Sequence, residues 1–412
     1  MEYYLLSHGE VGWAYQLFLP NNYFTQQKGI VVMFEFKFTE EQNMLREMAR
    51  EFTDNEIKPI AAKTDKEEKI PDELIKKLGE LGLLGTAFPE EYGGGGFGEV
   101  GYCIAQEEVA RGCMATATMI GAHQSIGANV IYLGGSEEQK KEFLTPLAAG
   151  EKISAFCLTE AQAGSDSFHL KTKAELDGNE WVINGEKLWI TNGSIASTLS
   201  VFARTEKGIS AFIVDADTPG FTVGPAEKKM GIKGSVTNAM SFENVRIPKE
   251  NLIGRDGRGF LIAMHTLDAG RLGLGAACLG GAKEALELST KYAKERKQFS
   301  QTISHFQAVQ FMLAEMATMI YNMESIVYRT AIDYDLGKKI ATQSAIVKLY
   351  CSDSLDKIVD YAVQIHGGMG YSQELPIERM YRDARINRIF EGTSEIQKSI
   401  IARDIIKKNG KV

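Results

Sequence analysis

Four short segments set polar and small residues inside apolar surroundings, and chemistry is expected there: residues 159–166, Trp189-Ile190-Thr191-Asn192-Gly193, residues 364–370 and Glu391-Gly392-Thr393. A carboxylate such as Glu391 becomes a general base when apolar surroundings raise its proton affinity. Ahead of a helix it would equally complement the positive helix N-terminus, and residue type alone favours that use. The run Gly367-Gly368-Met369-Gly370 would let phosphates approach the backbone, yet the strand that a dinucleotide fingerprint needs does not precede it, so by itself it marks a helix terminus. By the same standard Trp189 reads as core, and Arg296 in Lys294-Glu295-Arg296-Lys297 as a solvated helix face. His8, His123, His265, His305 and His366 have no i, i+4 partner and His169 reads as a surface loop residue, so no metal site is expected. Ser165 beside Asp166 lacks a Gly-x-Ser-x-Gly elbow, which argues against hydrolysis.

These segments need a scaffold, and 412 residues provide one. At roughly 150 residues per domain the chain makes two or three domains with ample core. Apolar residues at 44% and charged residues at 24% exclude a disordered chain, and a net charge of −8 gives no electrostatic reason to bind nucleic acid. Five scattered cysteines suggest neither a disulfide framework nor a zinc cluster, and no stretch approaches a membrane span or signal peptide, so a cytoplasmic protein is expected. The first 32 residues have no clear period and precede Met33, where translation is expected to start; the alternative is an extension packed on a neighbouring subunit.

From Thr39-Glu40-Glu41-Gln42, which has capping-box spacing, amphipathic helices are predicted through Leu45, Met48 and Phe52, and again over 74–84, 99–111 and 137–147. Between 154 and 253 the period shortens, and turn pairs Asp177-Gly178 and Asn184-Gly185 signal hairpins. Strands that follow one another without helices predict an antiparallel barrel or sandwich. Long helices return after Gly259; in one of them Phe306, Val309, Leu313, Met316, Ile320, Met323 and Val327 form a packing seam. The expected fold class is α+β: a helical domain over 33–153, a β domain over 154–262 and a helical domain resembling a four-helix bundle over 263–412.

Taken in order, the segments resemble the acyl-CoA dehydrogenase family, from about Phe38 to Ala402. Leu158-Thr159-Glu160-Ala161-Gln162-Ala163-Gly164-Ser165-Asp166 resembles one family signature, and residues 364–383, with Gly367, Gly368, Gly370, Glu374 and Arg379 in step, resemble the other. Gly121-Ala122-His123-Gln124-Ser125, Glu227-Lys228-Lys229-Met230-Gly231 and Arg388-Ile389-Phe390-Glu391 look most like the catalytic portion of very-long-chain members, without their additional C-terminal domain.

The resemblance implies oxidation of a fatty acyl-CoA to the trans-2-enoyl-CoA, the first step of β-oxidation. FAD would take the hydride at N5, and an electron-transferring flavoprotein would reoxidise it. Glu391 stands at the family's catalytic-base position. Its backbone N–H, with a ribityl hydroxyl of the flavin, would stabilise the enolate oxygen. Phe156, Leu158, Thr159 and Ser165 would line the flavin, with Trp189 and Thr191 on its other side. Arg296, Phe299, Gln307, Gln364, Gly367 and Gly368 would reach the adenosine and pyrophosphate of FAD on a neighbouring subunit, and Thr393 and Glu395 would touch FAD after the base. Ser165, Asp268, Arg271 and Gly392 would meet the acyl-CoA. Sharing a site between chains implies an oligomer, a homotetramer built as a dimer of dimers.

Departures from the family pattern are His169 in place of a small residue, Ser194 and Ser197 for Gly and Asp, Phe306 for His, and Ser300 for Gly. They bear on cofactor affinity more than on reaction type. Straight medium or long acyl chains are expected. The alternatives are a specialised member acting on branched, cyclic or carrier-protein-bound acyl groups, and a non-catalytic acyl-CoA-binding protein.

Overall fold

The computed structural model describes residues 37–410, so the reading of residues 1–32 and of a start at Met33 lies outside the described residues. The capping spacing at Thr39 is followed by helix α1 (Glu40–Phe52), which buries Leu45 and Ala49. Then come α2 (Ala61–Glu67), α3 (Asp72–Glu80), α4 (Gly98–Gly112), α5 (Met114–Gly121), a π-helical stretch (Ala122–Ala128), α6 (Asn129–Gly134), α7 (Glu137–Gln139) and α8 (Thr145–Ala148). A capping box between Ser136 and Gln139 starts α7.

One expectation fails here. Helix α4 is not amphipathic: every residue from Glu99 to Gly112 is buried. Three of its charged residues are tolerated because they have partners, Arg50 with Glu108 at 2.8 Å, Lys283 with Glu107 at 2.7 Å and Arg111 with Glu287 at 2.7 Å, while Glu99, whose Oε1 is buried without one, has its proton affinity raised well above the usual carboxylate range by burial.

The middle segment forms one eight-stranded sheet from β1 (Ser154–Cys157), β2 (Lys173–Asp177), β3 (Glu180–Thr191), β4 (Thr198–Thr205), β5 (Gly208–Asp215), β6 (Phe221–Ala226), β7 (Thr237–Pro248) and β8 (Leu252–Ile253). The strand order is β6-β7-β3-β2-β4-β5-β8. Most pairs are antiparallel as expected, but β1 runs parallel to β4, and Lys173 of β2 meets Arg204 of β4 in a parallel bridge. A parallel pair needs a crossover of a dozen or more residues. The β2–β3 hairpin, lying between β1 and β4 in sequence, supplies it without a helix.

The helical segment that follows contains α9 (Gly259–Glu295), the hairpin β9 (Lys297–Gln298) and β10 (Gln301–Thr302), α10 (Gln307–Asp335), α11 (Ala341–His366), α12 (Gly368–Tyr371), α13 (Ile377–Ala384) and α14 (Ser394–Lys407). Helix α9 is the axis, packed by α10, α11 and, from the N-terminal segment, α4, while α14 lies on α11. Of the predicted seam in α10, Met316, Ile320, Met323 and Val327 are buried and Phe306, Val309 and Leu313 only partly so. All five cysteines are buried and free.

Candidate active site

Helix α13 and a 3-10 turn (Arg385–Arg388) deliver the chain to Glu391, whose φ of 54° is left-handed, and to Gly392 at 91°. The N-cap of α14 is Thr393, whose hydroxyl accepts from the Ile396 N–H. Glu391 therefore does not complement that helix. Its carboxyl turns instead onto α9, where a Cβ added to Gly270 would sit 2.7 Å from Oε2 and 2.8 Å from Cγ2 of Ile126. Oε2 is buried and has no hydrogen-bond partner. Burial pushes this carboxyl up to about 7, against the opposing charges of Arg271 and Lys348.

The loop behind the carboxyl is fixed from α11 and α14. Buried Lys348 donates to the Gly392 carbonyl at 2.8 Å, and Gln397 Nε2 donates to the Glu391 and Gly392 carbonyls at 3.2 and 2.9 Å. Burial lowers Lys348 to about 8. Arg271, 5% exposed, bonds Asp268 at 3.0 Å, and Ser344 also donates to Asp268. Asp268 is thus already engaged, whereas Glu391 Oε2 has no hydrogen-bond partner.

A second group of predicted residues comes from the sheet. Strict alternation along β3 from Trp181, Ile183 and Lys187 would carry Trp189 into the core. A bulge between Lys187 and Ile190 shifts the register, Trp189 adopts φ 61°, and the phase flips. Ile190 is then buried and the Trp189 indole is 55% exposed. Thr191 follows it half-buried, Phe156 packs on Phe202 at 4.9 Å with the rings tilted at 56°, Leu158 is buried and Ser165 is exposed. The signature loop is pinned by Glu160, which accepts from Lys187 Nζ at 2.8 Å, the Lys171 N–H at 2.6 Å and the Thr172 N–H at 2.9 Å. Burial alone would raise the Glu160 carboxyl; the Lys187 hydrogen bond and charge, with Thr172 and the Lys171 N–H, pull it down to about 2.

A third group lies at the other end of α9. The rings of Tyr292 and His366 stack at 4.4 Å, which brings the C-termini of α9 and α11 together. Arg296, Gln307, Gln364, Gly367 and Gly368 are exposed there, and Phe299 is 89% exposed at the tip of the β9–β10 hairpin. Phe299 and Ser300 have φ 51° and 66°, the two left-handed positions of a tight hairpin turn. The glycine run does end a helix: Gly367 follows the last residue of α11 with φ 58°.

Sequence reasoning missed Lys187, Lys348, Gln397 and the buried Tyr102 of α4, which lies against Gly273 of α9. Lys187 shares strand parity with Trp181 and Ile183, a usable signal. Nothing local distinguishes the other three.

Three family models match: the acyl-CoA dehydrogenase N-terminal domain over residues 39–151, its middle domain over 155–245 and its C-terminal domain over 257–406. The chain belongs to the acyl-CoA dehydrogenase family. It is 44% identical over 378 residues to the short-chain-specific acyl-CoA dehydrogenase of Clostridium acetobutylicum, covering 90% of this chain and 100% of that protein. The butyryl-CoA dehydrogenase structure from Megasphaera elsdenii is 40% identical with a TM-score of 0.89, covering 90% and 100% of the two chains. An acyl-CoA dehydrogenase from Bacillus anthracis, solved with FAD, is 41% identical with a TM-score of 0.86, covering 90% and 68%. The protein is therefore an FAD-dependent oxidoreductase of acyl-CoA. Its residues fit that cofactor: a half-exposed indole on a bulged strand end, an unpartnered buried carboxylate oxygen, and Gly367 and Gly368 with open space where a side chain would be.

Proposed function

We propose that the chain catalyses α,β-dehydrogenation of a fatty acyl-CoA with Glu391 as the base, the first step of β-oxidation. The observation carrying this reading is the Glu391 carboxyl, held against Gly270 with Oε2 buried and unpartnered and its proton affinity raised to near neutrality. A carboxylate with no competing donor is free to take the proton from the substrate α-carbon, and a pKa near 7 keeps it both ionised and strongly basic at working pH. As the Cα–H electron pair moves toward the thioester, the backbone N–H of Glu391 stands as a donor for the enolate oxygen. FAD, when bound, would supply the hydride acceptor for the β-carbon, with an electron-transferring flavoprotein taking its electrons onward. Trp189, Thr191, Phe156, Leu158, Thr159, Thr393 and Glu395 would hold the flavin half, and Ser165, Asp268, Arg271 and Gly392 the acyl-CoA.

Geometry also supports a shared site. Gly270, against the base, and Arg296 lie on one helix about 39 Å apart along its axis, at about 1.5 Å per residue. Arg296, Phe299, Gln307, Gln364, Gly367 and Gly368 would accordingly serve the FAD of a second copy, within a homotetramer. Anaerobic titration of the purified, yellow protein with straight-chain acyl-CoAs tests the reading. Bleaching of the flavin in wild type and its loss in Glu391→Gln is the expected result; equal bleaching in both would sink it.

A further inference from the structure

The Glu391 carboxyl marks where the α-carbon must lie, and α9 runs inward from it. One turn beyond Gly270 is Gly273, about 4.5 Å further along the axis. There the way is closed: a Cβ on Gly273 would lie 2.3 Å from Cε1 and 2.4 Å from the hydroxyl of Tyr102, and one on Gly121 would lie 3.3 Å from the same hydroxyl. Tyr102 is 1% exposed, whereas Ile126, beside Gly270, is still partly open. Tyr102 thus spans from α9 to the end of α5, one turn along α9 from Gly270.

Resting on the dehydrogenase reading above, we infer that Tyr102 is the floor of the acyl pocket and restricts this enzyme to short straight-chain acyl-CoA esters. The floor is rigid. Helix α4, which carries Tyr102, is buried throughout, and its N-terminus is fixed by Asp335, which accepts from the Glu99 N–H at 2.8 Å and the Val100 N–H at 3.0 Å. Further along, Glu107 of the same helix accepts from Lys283 and from Tyr328. Tyr102 therefore cannot swing aside on a moving helix, and its ring cannot pass into α9, because only glycine at 273 lets it come this close. Neither the medium- or long-chain expectation nor the very-long-chain look of single segments accounts for such a floor.

The test is kcat/KM of the holoenzyme with butyryl-, hexanoyl- and octanoyl-CoA for wild type, Tyr102→Phe, Tyr102→Leu and Tyr102→Ala. Wild type should prefer butyryl-CoA. Tyr102→Ala should raise the octanoyl-to-butyryl ratio by about tenfold or more, the scale on which apolar pockets discriminate added methylenes. Tyr102→Phe keeps the ring and should keep the ratio, while Tyr102→Leu should raise it if the alanine variant fails to fold. A wild type that prefers octanoyl-CoA, or a ratio unmoved in both truncated variants, overturns the inference while Glu391-dependent bleaching leaves the dehydrogenase reading standing. Absence of Glu391-dependent bleaching with every ester fails that parent reading instead.

Discussion

Replacing Glu391 by glutamine separates two properties of the site that an activity assay alone would merge. The carboxyl moves from an ordinary value near 4.5 to about 7 on folding because burial disfavours its charged form. At about 1.36 kcal/mol per tenfold change in proton affinity, this carries about 3 kcal/mol of pH-dependent stability, an upper figure because part of the side chain remains open to solvent. The folded pKa is raised, so the contribution is fully present below 4.5 and lost as pH climbs to 7. Above 7 the wild type holds an ionised, buried carboxylate that glutamine does not have. Glu391→Gln should therefore be close to wild type in stability near pH 4.5 and more stable by up to about 3 kcal/mol at pH 8, while turnover falls by about a hundredfold to ten-thousandfold. Thermal or denaturant unfolding across that range, beside acyl-CoA-dependent flavin bleaching, reads both. A stability difference that does not grow with pH would refute the buried-carboxylate argument even if activity were lost. Wild-type kcat/KM should rise through about pH 7 as the base ionises.

Three further outcomes follow from the geometry. Lys187→Met strands Glu160 inside the sheet and should cost about 3–5 kcal/mol at pH 7, with weakened flavin retention; unchanged denaturant midpoints would contradict it. Because Glu160 is held down at about 2, its contribution is present above 4.5 and fades as pH falls toward 2, so this variant and wild type should converge in acid. Arg296→Glu should lose flavin and weaken the oligomer together, read by absorbance and sedimentation, and retention of both would remove the shared-site reading. Ser300→Gly should stabilise the protein by about 1 kcal/mol, since Ser300 sits at φ 66° where a side chain is strained; a lower melting temperature would show that strain is not the controlling term there.

The segments proposed to do chemistry stood out because small and polar residues inside apolar surroundings are rare without cause, and the layer order was legible because hydrophobic period changes near residues 154 and 259. Faces and convergence were not. Trp189 reads as core by parity, and only the bulge, which leaves no mark in residue type, turns it outward. Helix α4 reads as amphipathic because Glu107, Glu108 and Arg111 look solvated until Arg50, Lys283 and Glu287, all remote in sequence, are seen to meet them. Departures that looked like threats to cofactor affinity have local accommodations: His169 pairs with Asp166 at 2.7 Å, and Phe306 packs on Phe299 at 6.0 Å.

Helix α9 explains why the site could not be read from its own four segments. Its run Gly270-Arg271-Leu272-Gly273-Leu274-Gly275 continues to Gly280-Gly281 without breaking, although each interior glycine costs about 1 kcal/mol of helix propensity. Packing compensates, because the bare faces are used. Gly270 admits the Glu391 carboxyl, Gly273 admits Tyr102, Gly275 admits Val347 of α11, and Gly280 lies against the Glu107 carbonyl of α4, 2.0 Å from where a Cβ would be. The same absence of side chains therefore does two kinds of work along one rod. At Gly275 and Gly280 it brings α11 and α4 close enough to fix the axis, at Gly273 it lets the Tyr102 ring in, and at Gly270 it makes room for the Glu391 carboxyl, the proposed base. If the proposed base and floor hold, substrate length and catalytic geometry are both set by this one helix, and neither can be altered from the Glu391 loop alone.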